Sequence, residues 1–456
     1  MNDSAKKLMQ ERQQNRHDIF DNKIPKRVPI EVYLSLPILA EIAGIDRKSV
    51  YWDPSLVKDT ARNLCSTVPS DTCLYSGSVY TPVSSQTLES VNKVMSDTGY
   101  MQHPNTFCMY DNEYDELIND PYAFIIDKCV PRVYRNLDGT YNPGRNILAL
   151  TQESLMKQAV AKKEMPMVMD LYDEFGYPTE EMGGFGRAPM DWIADQLRSF
   201  SGICVDVRRQ RSKVIEALDA IYPMMYKIAV SPDLSNISRY ATTSFQLHMA
   251  TYLREKDFAE VWLPSWRRMV VDFSSLGIRC GAFLEHDWTR LLDYVYDLPT
   301  GSYFTFEYTD AKLIKEKLGK KHILGGGFPL KYITSCTKAE AADKTKEWLD
   351  IMAPGGQYIF SFDKGALAMS DINLENLTAV CETVRDYGVY DNAGTPAGEI
   401  FSKNDYVHSE MSEFVSRHYV TWDQYLKKYP NTPENAKPIV TAAERQLFSL
   451  MFVMTC

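Results

Sequence analysis

Between Gly277 and Tyr390 one pattern of apolar and polar positions occurs four times: a short apolar run, polar or glycine residues at its C-terminal end, then a segment with helical spacing. Residues 278–284 run into Glu285-His286-Asp287-Trp288 and a helical segment over 289–295. Residues 303–306 run into Glu307-Tyr308-Thr309-Asp310 and a helical segment over 311–318. His322-Ile323-Leu324 ends in Gly325-Gly326-Gly327-Phe328-Pro329, and residues 357–360 end in Ser361-Phe362-Asp363-Lys364-Gly365. Short apolar runs with little alternation predict strands buried on both faces. Strands alternating with helices predict a parallel sheet with right-handed crossovers. The expected fold class is α/β, a TIM (β/α)8 barrel with N-terminal and C-terminal extensions. In such a barrel the chemistry sits on the loops at the C-terminal strand ends, where the carboxylates, His286, Lys364 and the glycines gather here.

The same reading extends outward from this block. Residues 243–249 form a further strand with His248 at its end, 29–34 and 38–45 open the barrel, 71–75 are a short strand, and 102–109 are a strand or a loop. Helical spacing covers 113–132, 150–163, 189–198 and 205–225. Glu181-Met182-Gly183-Gly184-Phe185-Gly186-Arg187 resembles a phosphate loop only superficially, since no GK[ST] follows, and is expected to be a flexible loop. Residues 1–26 are polar and read as a solvated N-terminal arm, 27–400 as the barrel, and 401–456 as a C-terminal helical extension. The apolar end of that extension, Leu447-Phe448 and Leu450-Met451-Phe452, is expected to pack on the barrel or on a second copy in a homodimer.

Composition narrows the function classes. Among 456 residues, 45% hydrophobic and 24% charged is ordinary for a chain that buries a large core. A formal net charge of -10 argues against a general nucleic-acid binder, which needs a basic stripe to meet phosphates. No run of about 18 apolar residues appears, so no membrane span is expected and the location is read as cytoplasmic. Nine scattered cysteines without a CxxC fit reduced thiols better than a disulfide framework.

The motifs Glu285-His286-Asp287-Trp288-Thr289-Arg290, Leu298-Pro299-Thr300-Gly301, Gly325-Gly326-Gly327-Phe328-Pro329 and Ala353-Pro354-Gly355-Gly356-Gln357-Tyr358-Ile359 resemble the uroporphyrinogen decarboxylase superfamily. Glu375-Asn376-Leu377 and Val384-Arg385-Asp386-Tyr387-Gly388 extend the resemblance, which covers about residues 191–390. It implies a TIM barrel and either of two activities, cofactor-free decarboxylation or corrinoid-dependent methyl transfer. A third reading is a non-catalytic barrel subunit that only binds, against which the polar residues at successive strand ends argue. The arginine-rich stretch with which the decarboxylases grip substrate carboxylates is missing after Arg27; only Arg187, Arg279 and Arg290 lie near. The His-x-Cys pair with which thiol-methylating relatives hold zinc is missing too.

What the resemblance then implies is the component that takes a methyl group from a small methylated molecule, an aryl methyl ether among the candidates, and passes it to a cobalamin (corrinoid) carried on a separate protein. No cofactor is expected in this chain. Glu285, His286, Glu307 and His248 are the candidate catalytic residues. They include carboxylate and imidazole metal ligands, but without the spacing that marks a metal site. Trp288, Tyr308, Asp310, Phe328, Phe362, Asp363 and Lys364 are the candidate substrate-binding residues, with Lys364 offsetting charge on the leaving group. Asp287 and Asp310 serve equally as caps of the helices that follow. Gly325, Gly326 and Gly327 would let a corrinoid approach the backbone, or they simply permit a tight turn. Glu285 is the first choice of proton donor, with partial burial expected to raise its pKa.

Overall fold

The computed structural model describes residues 1–78, 82–138, 143–179, 181–230 and 237–455. Six parallel strands lie side by side in chain order: β1 (Met182–Gly186), β2 (Thr242–Leu247), β3 (Gly281–Asp287), β4 (Tyr303–Tyr308), β5 (Ile323–Gly326) and β6 (Tyr358–Ile359). Sequential parallel order requires a crossover between each pair of strands, and the intervening helices supply it. The helices that bear on the site are α1 (Asp3–Phe20), α2 (Arg211–Ala229), α3 (Leu263–Ser275), α4 (Ala311–Leu318) and α5 (Lys338–Met352).

The register assigns the two faces of the sheet. Phe245, Ala282, Phe304, Leu324 and Tyr358 form one row across β2–β6, and all five are buried. Phe245 meets Trp266 and Phe273 of α3, and the Tyr358 hydroxyl accepts from the Trp348 indole of α5 at 2.7 Å, so this face carries the helices. The alternate row is Gln246, Phe283, Thr305, Gly325 and Ile359, and it faces the other way. Two more segments continue the backbone pairing past β6. Glu31 donates to the Phe360 carbonyl and Phe360 to that of Pro29, each at 2.8 Å; Asp71 donates to the Ile30 carbonyl at 2.8 Å and Leu34 to that of Leu74 at 2.7 Å.

Two expectations are corrected, and 102–109, left open between strand and loop, is loop from 103 onward. The segment 181–187 is not a flexible loop but carries β1, paired with β2 from Met182 to Gly186. Its glycines serve packing: a Cβ on Gly184 would stand 1.8 Å from the Ala229 carbonyl at the end of α2, and one on Gly186 would stand 2.6 Å from the Phe245 ring. Residues 101–102 belong to a two-stranded antiparallel hairpin with 94–95, not to the parallel sheet.

The N-terminal segment is likewise not a solvated arm. The Asn2 side chain caps α1 by accepting from Ala5 N–H, and Ala5, Ile19 and Phe20 are buried, the last two against Tyr303, Ile323 and Ile359. Polar composition hid this, because the helix meets the sheet's N-terminal end through charged pairs. His17 pairs with Glu181 at 2.7 Å, Arg16 pairs with Glu31, and the Arg279 guanidinium donates to the Phe20 carbonyl at 2.7 Å.

At the other terminus Phe448 packs among Tyr122, Phe414 and Tyr419, while Leu447 is exposed. The side chains of Leu450-Met451-Phe452 lie outside the described residues. Among the described residues no helix is long and apolar enough to cross a membrane.

Candidate active site

A cavity of about 540 Å³ lies against the inward row of the sheet. Its wall takes Ser244 and Gln246 from β2, Phe283 from β3, Thr305 from β4 and Phe362 after β6, with Glu31 and Asp71 opposite. At its N-terminal end α1 contributes Arg12, Arg16 and His17; at the other end Lys364 reaches the edge.

Two residues beyond Gln246 and Phe283 on the same strand faces stand His248 and Glu285, about 7 Å further toward the C-terminal ends. Their side chains pair directly, His248 Nδ1 with a Glu285 carboxylate oxygen. His248 Nε2 faces Asp195 Oδ2 at 3.8 Å, and that oxygen accepts from Arg187 at 2.8 Å. The order along this rim is therefore cation, carboxylate, imidazole, carboxylate. His286 adjoins it: its backbone N–H donates to Glu307 at 2.8 Å, and its Nε2 shares a proton with the Tyr252 hydroxyl at 2.8 Å. The β3 register slips between Leu284 and Asp287, and His286 takes a left-handed backbone at φ 63°. A non-glycine residue in that region costs conformational energy, and such residues gather at functional sites.

Charge states follow from these neighbours. Desolvation pulls the His248 pKa down, but the Glu285 bond and the Asp195, Glu285 and Asp191 charges outweigh it and raise it above the ordinary value. For Glu285, burial raises the pKa, and the bond to His248 with the nearby imidazole charges outweighs that, leaving it lowered. The expectation of a protonated Glu285 is thus overturned. Partial burial is present, but the imidazole partner was not visible from a strand read alone, and the pairing favours the imidazolium and carboxylate forms. Asp195 is raised, chiefly by burial.

The other expected site residues divide. Phe362 and Lys364 line the cavity. Tyr308 is exposed at the last position of β4. Trp288 is fully buried, facing Phe258 and Trp262, with its indole donating to the Glu285 carbonyl at 2.8 Å; it braces the β3 turn from behind and does not wall the cavity. Phe328 is also fully buried, among Phe360, Phe362 and Trp348. Asp310 caps α4 by accepting from Leu313 N–H at 3.0 Å, Asp287 accepts from Thr289 N–H at 2.9 Å, and Asp363 accepts from Leu330 N–H at 3.0 Å.

Gly326 and Gly327 hold φ of 66° and 76°, and a Cβ on them would stand 3.1 Å from Phe306 and from Trp348 respectively. Gly325 lies under the Tyr303 ring, 2.7 Å from where its Cβ would be. The glycine run is shaped by contacts within its own chain.

Asp191, Asp195 and Tyr252 were not anticipated, and Arg187 was marked only as a nearby arginine. Asp191 and Asp195 sit on the helical turns after β1 and Tyr252 on the turn after β2, outside the four βα units, and only the fold brings them together around His248. Among the described residues no group of three or more His, Cys, Asp or Glu side chains is arranged to hold a metal ion. No protein-family model matches the chain, and no curated protein matches it in sequence.

Proposed function

We infer that the six strands, with the segments at 29–34 and 71–74, close into an eight-stranded TIM barrel of the uroporphyrinogen decarboxylase superfamily, and that the chain is the demethylating component of a corrinoid-dependent methyl-transfer system. Eight consecutive stretches of parallel or bridged backbone, and a cavity lined from both ends of that series, support the barrel. The observation that carries the activity is the His248–Glu285 pair, which stands two residues beyond the cavity lining at the C-terminal ends of β2 and β3 without itself lining the cavity.

Removing a methyl group from an ether leaves negative charge on the departing oxygen, and a positioned acid lowers that barrier. The corrinoid, held on a separate protein, supplies the nucleophile that takes the methyl group. His248, kept cationic by Glu285 and Asp195, delivers its proton to the departing oxygen, and Glu285 then holds the neutral imidazole in place for reprotonation. Phe283 and Phe362 supply apolar wall for the body of the substrate, and Lys364 offsets charge at the cavity edge.

The decarboxylase alternative calls for free arginines at the rim. Arg187 is bound to Asp195, Arg279 to the Phe20 carbonyl at the opposite end, and Arg290 to the Thr251 and Leu253 carbonyls. The carboxylates Asp195, Glu285 and Glu307 would also repel a carboxylated substrate.

The test is purified protein with a panel of methyl ethers, with and without a corrinoid protein reduced to the cobalt(I) state. Demethylated product and methylcorrinoid absorbance should appear together, and only with the reduced corrinoid. Carbon dioxide release from a carboxylated substrate by the chain alone would overturn the proposal.

A further inference from the structure

Asp191 does not reach the cavity, and the chemistry above leaves it unused. It is fully buried. One carboxyl oxygen accepts from Met249 N–H at 2.7 Å and from the Trp262 indole at 3.2 Å; the other has no hydrogen-bond partner. A buried acceptor with nothing to accept is costly, and hydrophobic interiors seldom retain one. Its position gives it a use. Met249 is the residue after His248, so the first oxygen anchors the end of β2 where the imidazole is mounted. Asp195 lies one helical turn onward and faces the other imidazole nitrogen at 3.8 Å.

We propose that Asp191 is a positioning residue for His248: it fixes the backbone beneath the imidazole through Met249, and its second oxygen supplies a buried, titrating negative charge behind it. The charged and titratable groups around His248 are Glu285 and, beyond it, His286 on β3; Asp195 and Asp191 on the helical turns after β1; and Arg187, which partly neutralises Asp195.

Burial first, and then the Asp195 charge, push Asp191 up to about 7. Asp191 therefore ionises in the range where His248 would otherwise lose its proton, and the arriving negative charge holds that proton on the imidazole. The imidazolium persists to higher pH than Glu285 and Asp195 alone would allow, and its titration becomes shallower than that of an isolated group.

The inference rests on the assignment of His248 as proton donor, but its test needs no substrate. Histidine-labelled full-length protein is titrated by NMR, alongside Asp191→Asn. Asparagine keeps an acceptor for Met249 and Trp262 and removes the charge, placing an amide NH2 where the unpartnered oxygen stood. In the wild type His248 should titrate above the ordinary histidine range on a shallow curve. In Asp191→Asn the midpoint should fall by about one pH unit and the curve should steepen to that of a single proton. An unchanged His248 curve in a folded Asp191→Asn protein would overturn the proposal. Carbonyl-labelled aspartate in the wild type gives a second reading: a carboxyl titrating near neutrality is expected, and an Asp191 midpoint below about pH 5 would equally overturn it, even if the variant did not fold. A positive result with no methyl transfer would leave the charge coupling intact and remove only the demethylation reading.

Discussion

The two ends of the sheet are built from the same residue types and use them in opposite ways. At the N-terminal end most charges are answered, the buried Arg279 Nε excepted: Arg27 grips Asp71 with two bonds of 2.7 and 2.8 Å, Asp71 also accepts from Ile30 N–H at 2.8 Å, and Glu31 accepts from both Arg16 and the Tyr303 hydroxyl. At the C-terminal end the answers are incomplete. One imidazole stands between carboxylates, Asp191 has a buried oxygen without a partner, and His286 holds a strained backbone. Closed networks fix a fold, whereas an unbalanced one retains charge that a reaction can use. On the proposed function, the difference puts the chemistry at one end and the scaffold at the other.

The comparison breaks most visibly at His248. His248→Gln keeps a polar side chain of similar reach and removes the proton, so demethylation should fall by about 10² to 10⁴-fold while the melting temperature stays close to wild type. Loss of stability with full activity would move the chemistry away from this rim.

The mirror experiment is Asp71→Ala, which leaves the Arg27 guanidinium largely buried with its bidentate partner gone. Unfolding in urea should show a loss of about 3–5 kcal/mol, far more than His248→Gln costs.

How much of this contrast was legible in the sequence depends on where each residue sits. His248, Glu285, His286 and Glu307 were readable because each follows an apolar run at a strand end, and position alone marked them. β1 was not readable: Met182-Gly183-Gly184-Phe185-Gly186 has a loop's composition, and its glycines make sense only once the Ala229 carbonyl is seen against them. The N-terminal helix was misjudged for a related reason, since the pairs that bury Arg16 and His17 involve Glu31 and Glu181, the latter 164 residues away from His17. The charge on Glu285 was inverted because a pKa follows its partners, and the partner came from the neighbouring strand.

Asp191 sharpens the contrast through stability. Its folded-state pKa of about 7 lies above the ordinary 3.8, so its contribution is fully present below about pH 4 and is lost as pH rises toward 7. Asp191→Asn escapes that loss. It should match wild type near pH 4 and exceed it at pH 8 by up to about 4 kcal/mol, read from unfolding curves at the two pH values. An asparagine variant less stable at pH 8 would place Asp191 with the scaffold.

Glu285→Gln has a smaller expected effect. With the proton on His248, the carboxylate raises the imidazole's affinity for it and does not donate, so the variant should lose about tenfold in rate near pH 7 and recover part of that at lower pH. A loss as large as that of His248→Gln, independent of pH, would return the donor role to Glu285.

The smallest effect tests a residue that stands at the active end yet belongs to the scaffold. Asp310 comes two residues after β4, close to the same strand end that Glu285 marks on β3, but its carboxylate accepts from Leu313 N–H and so caps α4. Asp310→Ala removes an N-cap, which costs about 1 kcal/mol, and should lower the melting temperature slightly while leaving kcat/KM within about twofold of wild type. Asp310→Asn preserves the cap acceptor and should restore stability without altering the rate. If Asp310→Ala lost activity that Asp310→Asn did not recover, the negative charge itself would be meeting substrate. The working part of the mouth would then extend from the His248–Glu285 pair to the far side of β4, past the line that hydrogen-bond closure draws.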